Sequence, residues 1–299
     1  MKNLIVVFLL ITTALCAADT IKLYIDADTA NEVDDLYAIV RALIEPEFDI
    51  VGLGSAQWQV SHWATDQSLE DSQRLNDMLL AFLHKQHIPA PRGGHARLYD
   101  WGADIAQHSA AAYFIIEQAH AMPDGEKLVI ANLGALTNVA SAILIDPSIV
   151  PKIKLYLLGT TYDFENSIWR KRDFNCVMDI QAINVVLDAK GLETHIMPGN
   201  VAAAMKFDMQ RCKEQFAEKN DLLDFLYQRW VDHKDGGRYS RTIWDLSVIE
   251  ALVHPEWAEV VQVAGPPENG NRTLFVYKRI NADEMIDDFY ETIADFYRE

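Results

Sequence analysis

Between residues 21 and 197 the apolar positions keep two alternating rhythms. Short, β-branched-rich runs at 21–25, 48–54, 128–131, 153–158 and 193–197 read as buried strands. Between them apolar residues recur at helical spacing, first at Val33, Leu36, Val40, Leu43 and Ile44. The same spacing predicts a long amphipathic helix over 63–83 and further helices over 110–121, 136–145 and 180–189. A helix over 283–297 closes the pattern. Strand and helix in alternation predict an α/β fold: a mostly parallel open sheet with helices on both faces. In such a sheet ligands bind at the carboxyl ends of the strands. No repeat, low-complexity tract or Pro/Ser-rich linker interrupts it.

The first residues follow a different pattern. Lys2 precedes an apolar stretch over 4–15, and Cys16, Ala17 and Ala18 offer small residues for cleavage. The stretch is short for a membrane span, so residues 1–18 read as a cleaved secretory signal peptide and 19–299 as a single domain. A lipidated Cys16 is the weaker reading, because bulky Leu15 precedes it. The expected location is secreted or periplasmic.

The chain carries 44 acidic and 26 Lys and Arg side chains, a formal net charge of −18 that becomes −19 once Lys2 is removed. Such an acidic surface argues against nucleic acid and anionic membranes as partners and suits solubility or cation binding. A homo-oligomer is left open. Of three cysteines only Cys176 and Cys212 lie beyond the leader, which allows at most one internal disulfide. The apolar core must carry the stability.

The densest candidate chemistry is Asp26-Ala27-Asp28-Thr29-Ala30-Asn31-Glu32-Val33-Asp34-Asp35. It leaves the first strand and enters the first helix, where an α/β fold builds its site. Asp28, Asp34 and Asp35 would converge there, and three carboxylates repel one another unless a hard cation neutralises them. Oxygen donors at flexible spacing suit Ca²⁺, less so Mg²⁺, and the absence of paired His or Cys argues against Zn²⁺. The ordinary alternative is that Asp34 and Asp35 favour the helix dipole while Thr29 or Asn31 caps.

This stretch resembles the N-terminal aspartate signature of nucleoside hydrolases, D-x-D-P-G-x-D-D. It departs by two extra residues between Asp28 and Asp34 and by lacking Pro-Gly. Asn132-Leu133-Gly134-Ala135-Leu136-Thr137-Asn138 is similar to that family's G-P-L-T-N turn, and Trp244-Asp245-Leu246 to its last metal-binding segment. The resemblance implies a Rossmann-like nucleoside hydrolase fold and one Ca²⁺, held by Asp28, Asp34, Asp35, Asp245 and the Thr137 carbonyl. A fourth segment, from Arg172 to Asp179, resembles the family's E-F-N motif, with Asp173 for Glu. It implies that Asp173 and Asn175 grip ribose hydroxyls, with Asn166 upstream as a further contact. Alone, Asp173 would be a loop acid and Asn175 a turn residue.

The implied activity is hydrolysis of the N-glycosidic bond of a small-molecule ribonucleoside. Such a reaction passes through an oxocarbenium-like state attacked by water. By the same likeness Asp28 is the general base, and Asp34 accepts a hydrogen bond from ribose. Trp244 stands where many members carry a His before the last Asp, as in the purine-preferring branch. Indole is no general acid but stacks on a purine, so purine preference is expected, with Trp58 as a second stacking face. Gln57 sits near a family Asn contact, whereas Trp63 reads as core. His233, in a loop that could cover the pocket, and His254 read as surface or satisfied core groups rather than ligands.

Two other readings compete. Asp26-Ala27-Asp28-Thr29 mimics the D-x-D-x-T start of haloacid-dehalogenase-type phosphatases, but Asp287-Asp288 falls in the closing helix, the wrong place for their acidic pair. A secreted nucleoside- or ribose-binding protein would use the same pocket without turnover.

Overall fold

The computed structural model describes residues 20–99 and 104–298. The signal peptide read over 1–18 lies outside the described residues. The sheet that organises the chain has seven strands. Its first four in chain order are β1 (Ile21–Ala27), β2 (Phe48–Ser55), β3 (Leu128–Asn132) and β4 (Ile153–Leu158). Across the sheet the strands run Ala258–Ala264, Thr273–Ile280, Glu193–Met197, β4, β3, β1, β2. All neighbours pair in parallel except the antiparallel edge pair Ala258–Ala264 and Thr273–Ile280. The expected mostly parallel open sheet is therefore present.

Alternate strand residues feed two cores, one on each face. Leu23 and Ile25 of β1, with Tyr156 of β4, pack under α1 (Asp34–Ile44) and the helices Leu246–Val253 and Ala282–Phe296. Tyr24, Ile130, Leu155 and Leu157 face the other way. They pack under α3 (Ala110–Ala121), α4 (Thr137–Ile145) and α6 (Ile180–Asp188). Period-two strands between two helical layers bury both faces, which is why these runs read as continuously apolar.

Two segments depart from the sequence pattern. The helix expected over 63–83 is α2 (Ser68–Phe82), because Ser61 and Thr65 fold the preceding residues into turns: Ala64 N donates to Ser61 O at 3.0 Å and Ser68 N to Thr65 O at 3.3 Å. The last third, for which a helix opening at Trp244 to Leu246 and a closing helix were predicted, has both and adds the Asp221–Val231 helix and the edge pair. Cys176 and Cys212 are both buried and free, Cys212 Sγ lying 3.2 Å from the Tyr37 hydroxyl. Among the described residues no helix is long and apolar enough to cross a membrane.

The register brings chain ends together. Asp26 of β1 pairs with Asn132 of β3, and Asn132 with Leu157 of β4, so three strands finish at one level. The loops that leave this level build a single cleft.

Candidate active site

Asp28 is the second residue past Asp26, and the loop behind it turns at once: Asn31 N donates to Asp28 O at 2.8 Å. Thr29 donates to Asn76 of α2 at 2.5 Å, and α1 starts after Val33 without a side-chain cap. Neither Thr29 nor Asn31 does the capping the bland reading assigned them. The first turn instead presents Asp34 and Asp35, and the Leu246–Val253 helix likewise starts at Asp245 without a cap bond. Gly134 lets the β3 turn press against this loop, since a Cβ there would lie 2.8 Å from Asp28 N and 3.0 Å from its Oδ1.

Two separated segments thus deliver four carboxylates to one volume. Asp28, Asp34, Asp35 and Asp245 are 2 %, 5 %, 2 % and 2 % exposed, and one oxygen each from Asp34, Asp35 and Asp245 lies within 4.8 Å of the others. Burial, and then mutual repulsion, pushes the carboxyl groups of Asp28, Asp35 and Asp245 well above the usual range. Burial, and then Glu32, pushes Asp34 up to about 7. Buried Asp26, to which Asn138 donates at 2.9 Å, is also pushed up to about 7. Asp28 Oδ2, Asp35 Oδ1 and Asp245 Oδ1 are buried with no hydrogen-bond partner, as are Asn31 Oδ1 and Asn132 Oδ1. Buried oxygens are rarely left unpaired. A ring of acceptors with no donor suits a hard divalent cation, and the oxygen-only set excludes the thiolate and imidazole ligation of structural zinc.

The carboxylates form one wall of a cleft of about 650 Å³. The segment from Arg172 to Asn175 lines the same cleft. Asp173 caps the short helix α5 (Phe174–Met178) by accepting from Asn175 N at 3.1 Å, and burial raises it to about 6. Gly199 permits the approach, because a Cβ there would lie 2.8 Å from Asp173 Oδ2. Asn175 Nδ2 donates to the carbonyls of Leu133 at 2.6 Å and Leu158 at 3.2 Å, tying down two strand ends. With both amide hydrogens engaged, Oδ1 is the atom left for a ligand.

Not every expected residue reaches the cleft. Thr137 opens α4, but its hydroxyl donates to Asp179 at 2.7 Å and accepts from Gln57 at 3.2 Å, and it does not line the cavity. Leu133, four positions earlier in the same turn, does. Trp58 is buried under α2 with Nε1 donating to Ser72 at 3.2 Å, so it offers no stacking face. The tryptophan that lines the cleft beside Trp244 is Trp63, which the sequence pattern placed in the core. Asn166 sits in the exposed turn of the Thr161–Asp163 and Ile168–Arg170 hairpin, bonded to Asp163 at 2.9 Å. Asn200 lines the cleft instead, its side chain gripping the Tyr162 backbone at 3.1 Å in both directions.

Glu32, His62, Arg172 and Phe174 also line the cleft; Glu32, Arg172 and Phe174 lie within the two motif segments without an assigned role, and His62 carried no sequence signal. Behind Trp63 lies a buried polar chain. His233 meets the Trp63 ring edge-on at 5.0 Å, its Nε2 is 3.2 Å from Asn31 O, and its Nδ1 is 2.9 Å from Asp235. Asp235 accepts from Arg241 at 2.6 Å, and Arg241 reaches Glu32 at 3.2 Å. This chain fixes the rim that carries Asn31, Glu32 and Trp63.

Known proteins share this architecture. The family model described as inosine-uridine preferring nucleoside hydrolase matches residues 23–287. A probable uridine nucleosidase 1 of Oryza sativa subsp. japonica is 27% identical over 258 residues, covering 79% of this chain and 78% of its own. Uridine nucleosidase 1 of Arabidopsis thaliana is 26% identical over 263 residues, covering 79% and 74%. Among solved structures, a plant nucleoside hydrolase superposes with a TM-score of 0.72 at 17% identity, over 91% of this chain and 98% of that one. A purine-preferring ribonucleoside hydrolase from Gardnerella vaginalis gives 0.69 at 18% identity, over 92% and 98%. At such low identity the structural likeness shows the fold.

Proposed function

This chain belongs to the inosine-uridine preferring nucleoside hydrolase family, and we propose that its cleft hydrolyses the N-glycosidic bond of purine-preferred ribonucleosides with Ca²⁺ bound. The observation that carries the reading is the set of four buried carboxylates, three of them with an unpartnered oxygen, that lines one cleft together with Asp173 and Asn175. Members of the family are N-ribosyl hydrolases, and the reaction needs such a division between a charged floor and a sugar-gripping wall.

Asp28, Asp34, Asp35 and Asp245 would hold the cation, with Leu133 rather than Thr137 as the backbone donor because Leu133 lines the cleft. When bound, a divalent cation there supplies positive charge to orient ribose hydroxyls and to make a water more acidic. Asp28 accepts the proton of the attacking water, a role open to it once a bound cation keeps it ionised. Asp173 and the free Oδ1 of Asn175 accept hydrogen bonds from the ribose hydroxyls, fixing the anomeric carbon before attack. The indoles of Trp63 and Trp244 give the nucleobase two apolar faces, and a purine covers more of them than a pyrimidine does. Secretion behind the residue 1–18 leader belongs to the same reading.

The test is a nucleoside panel assayed for free ribose with and without a calcium chelator. Ribose release that stops on chelation and returns with calcium supports the reading. Tight binding with no release over long incubation would make the protein a nucleoside-binding module.

A further inference from the structure

Hydrolysis at this cleft leaves one proton unassigned. When the C1′–N bond breaks, its electron pair stays on the nucleobase, which departs as an anion unless an acid protonates it. In the reading above the four clustered carboxylates hold the cation and Asp173 holds ribose, and the indoles of Trp63 and Trp244 hold no proton they release near neutral pH. Imidazole is the side chain that exchanges protons in that range.

His62 lines the cleft and His233 stands behind Trp63, and the structure distinguishes them. His233 is buried with both ring nitrogens engaged, by Asn31 O and by Asp235. His62 lines the cavity, is exposed to solvent, and has no hydrogen-bond partner among the described residues. Its ring leans on Trp63 with centroids 4.4 Å apart at 47°, so the imidazole sits beside a face on which the base would rest.

The support beneath it is firm. Ser61 N donates to Trp58 O at 3.1 Å, Trp63 N to Ser61 Oγ at 3.2 Å and Ala64 N to Ser61 O at 3.0 Å. Trp58 anchors this turn against α2, and Lys234 Nζ donates to Trp63 O at 3.0 Å from the other side. The arrangement holds an otherwise exposed ring at the mouth of the cleft.

We propose that His62 is the catalytic acid for the departing base, an inference that rests on the hydrolase reading above. In the step, the water oxygen bonds to C1′ and gives its proton to Asp28. The C1′–N pair passes to the base, and the protonated imidazole of His62 donates its N–H to that base. Solvent then reprotonates His62 and takes the proton from Asp28, so free ribose and neutral base leave with no net change in the protein. The charged groups facing this position are Glu32 and Arg172 on the cleft walls, His233 across Trp63, and Lys234 on the Trp63 carbonyl.

H62A and H62Q, compared with wild type on inosine and on p-nitrophenyl riboside, separate this role from packing. The second leaving group needs no proton. Loss of a general acid lowers kcat on inosine by about 10²- to 10³-fold, while p-nitrophenyl riboside turnover and both KM values stay within about threefold. The limb of the inosine pH profile that falls at high pH should also vanish in both variants. Equal losses on both substrates, or inosine turnover and pH profile like wild type, would overturn the assignment. A wild type that cleaves neither substrate removes the hydrolase reading itself, and His62 as its acid with it.

Discussion

α1 carries a buried acidic cluster at each end, and the two are neutralised in opposite ways. Toward its carboxyl end Arg41, 1 % exposed, donates to Glu250 at 3.0 Å, Glu45 at 2.6 Å and Asp288 at 2.8 Å. Toward its amino end Asp34 and Asp35 meet Asp28 and Asp245, and among the described residues none of the four is ion-paired, Arg241 acting on Asp34 only at longer range. The same partner helix, Leu246–Val253, contributes to both: Glu250 to the first, and Asp245 at its start to the second. Where the chain wants a closed structural network it supplies its own guanidinium. Where it leaves carboxylates uncompensated and facing a cavity, it has built a place for a charge that comes from outside.

The largest expected effect lies at the uncompensated end. Asp28→Asn removes the proton acceptor and should lower turnover by about 10³-fold or more while leaving KM within a fewfold. Calcium content must be measured in the same preparation. Turnover near wild type in a calcium-loaded variant would rule Asp28 out as base.

The self-neutralised end should answer in stability rather than chemistry. Arg41→Met strands Glu45, Glu250 and Asp288, and losing one partner of a buried network costs about 3–5 kcal/mol. Burial already pushes Glu250 up to about 8, so protonation will absorb part of that, and the lower figure is expected in acid. Denaturant unfolding against pH reads it out, with the activity of the remaining folded protein unchanged.

Cation removal sharpens the contrast. Burial raises Asp34 to about 7 and also pushes Asp28, Asp35 and Asp245 well above the usual range, whereas unfolded carboxyls titrate near 4. Between those values the folded, cation-free protein binds more protons than the unfolded chain, so its stability falls as pH rises from about 4 through about 7. Calcium replaces those protons. The stability gained from calcium, read as a rise in Tm, should therefore be larger at pH 8 than at pH 5, and a hundredfold excess over Kd contributes about 2.7 kcal/mol. A gain independent of pH would contradict the account of the four carboxylates.

The smallest effect concerns base preference. Trp244→Ala should slow inosine cleavage by about tenfold, as one aromatic face contributes about 0.5–1.5 kcal/mol beyond its buried area. It should affect p-nitrophenyl riboside less. Faster cleavage of uridine than of inosine by the wild type would remove the purine preference.

The pattern of the chain foretold one end of α1 better than the other. Asp28, Asp34, Asp35 and Asp245 come together because each sits where a strand-to-helix connection or a helix start meets the carboxyl edge of the sheet. That placement follows from the alternation of elements. Arg41 and its partners gave no such signal, since a guanidinium among helical residues reads as a surface charge until tertiary packing covers it. Trp58 and Trp63 exchanged roles for a local reason: turns at Ser61 and Thr65 delay α2 and send Trp63 to the cleft while Trp58 packs beneath the helix. Asn200 reached the site from the short helix Gly199–Ala202, which no motif marked. The edge strand Ala258–Ala264 escaped because its residues are all half-buried or exposed, which blurs the apolar alternation.

The measurement that reaches the central claim most directly is calcium-dependent ribose release. Protein stripped with a chelator, shown by elemental analysis to hold no divalent ion, is mixed with inosine, and calcium is then titrated back. The account predicts negligible release before addition and full release at about one calcium per chain, set by the four-carboxylate cluster. Undiminished ribose release from the stripped protein would contradict it.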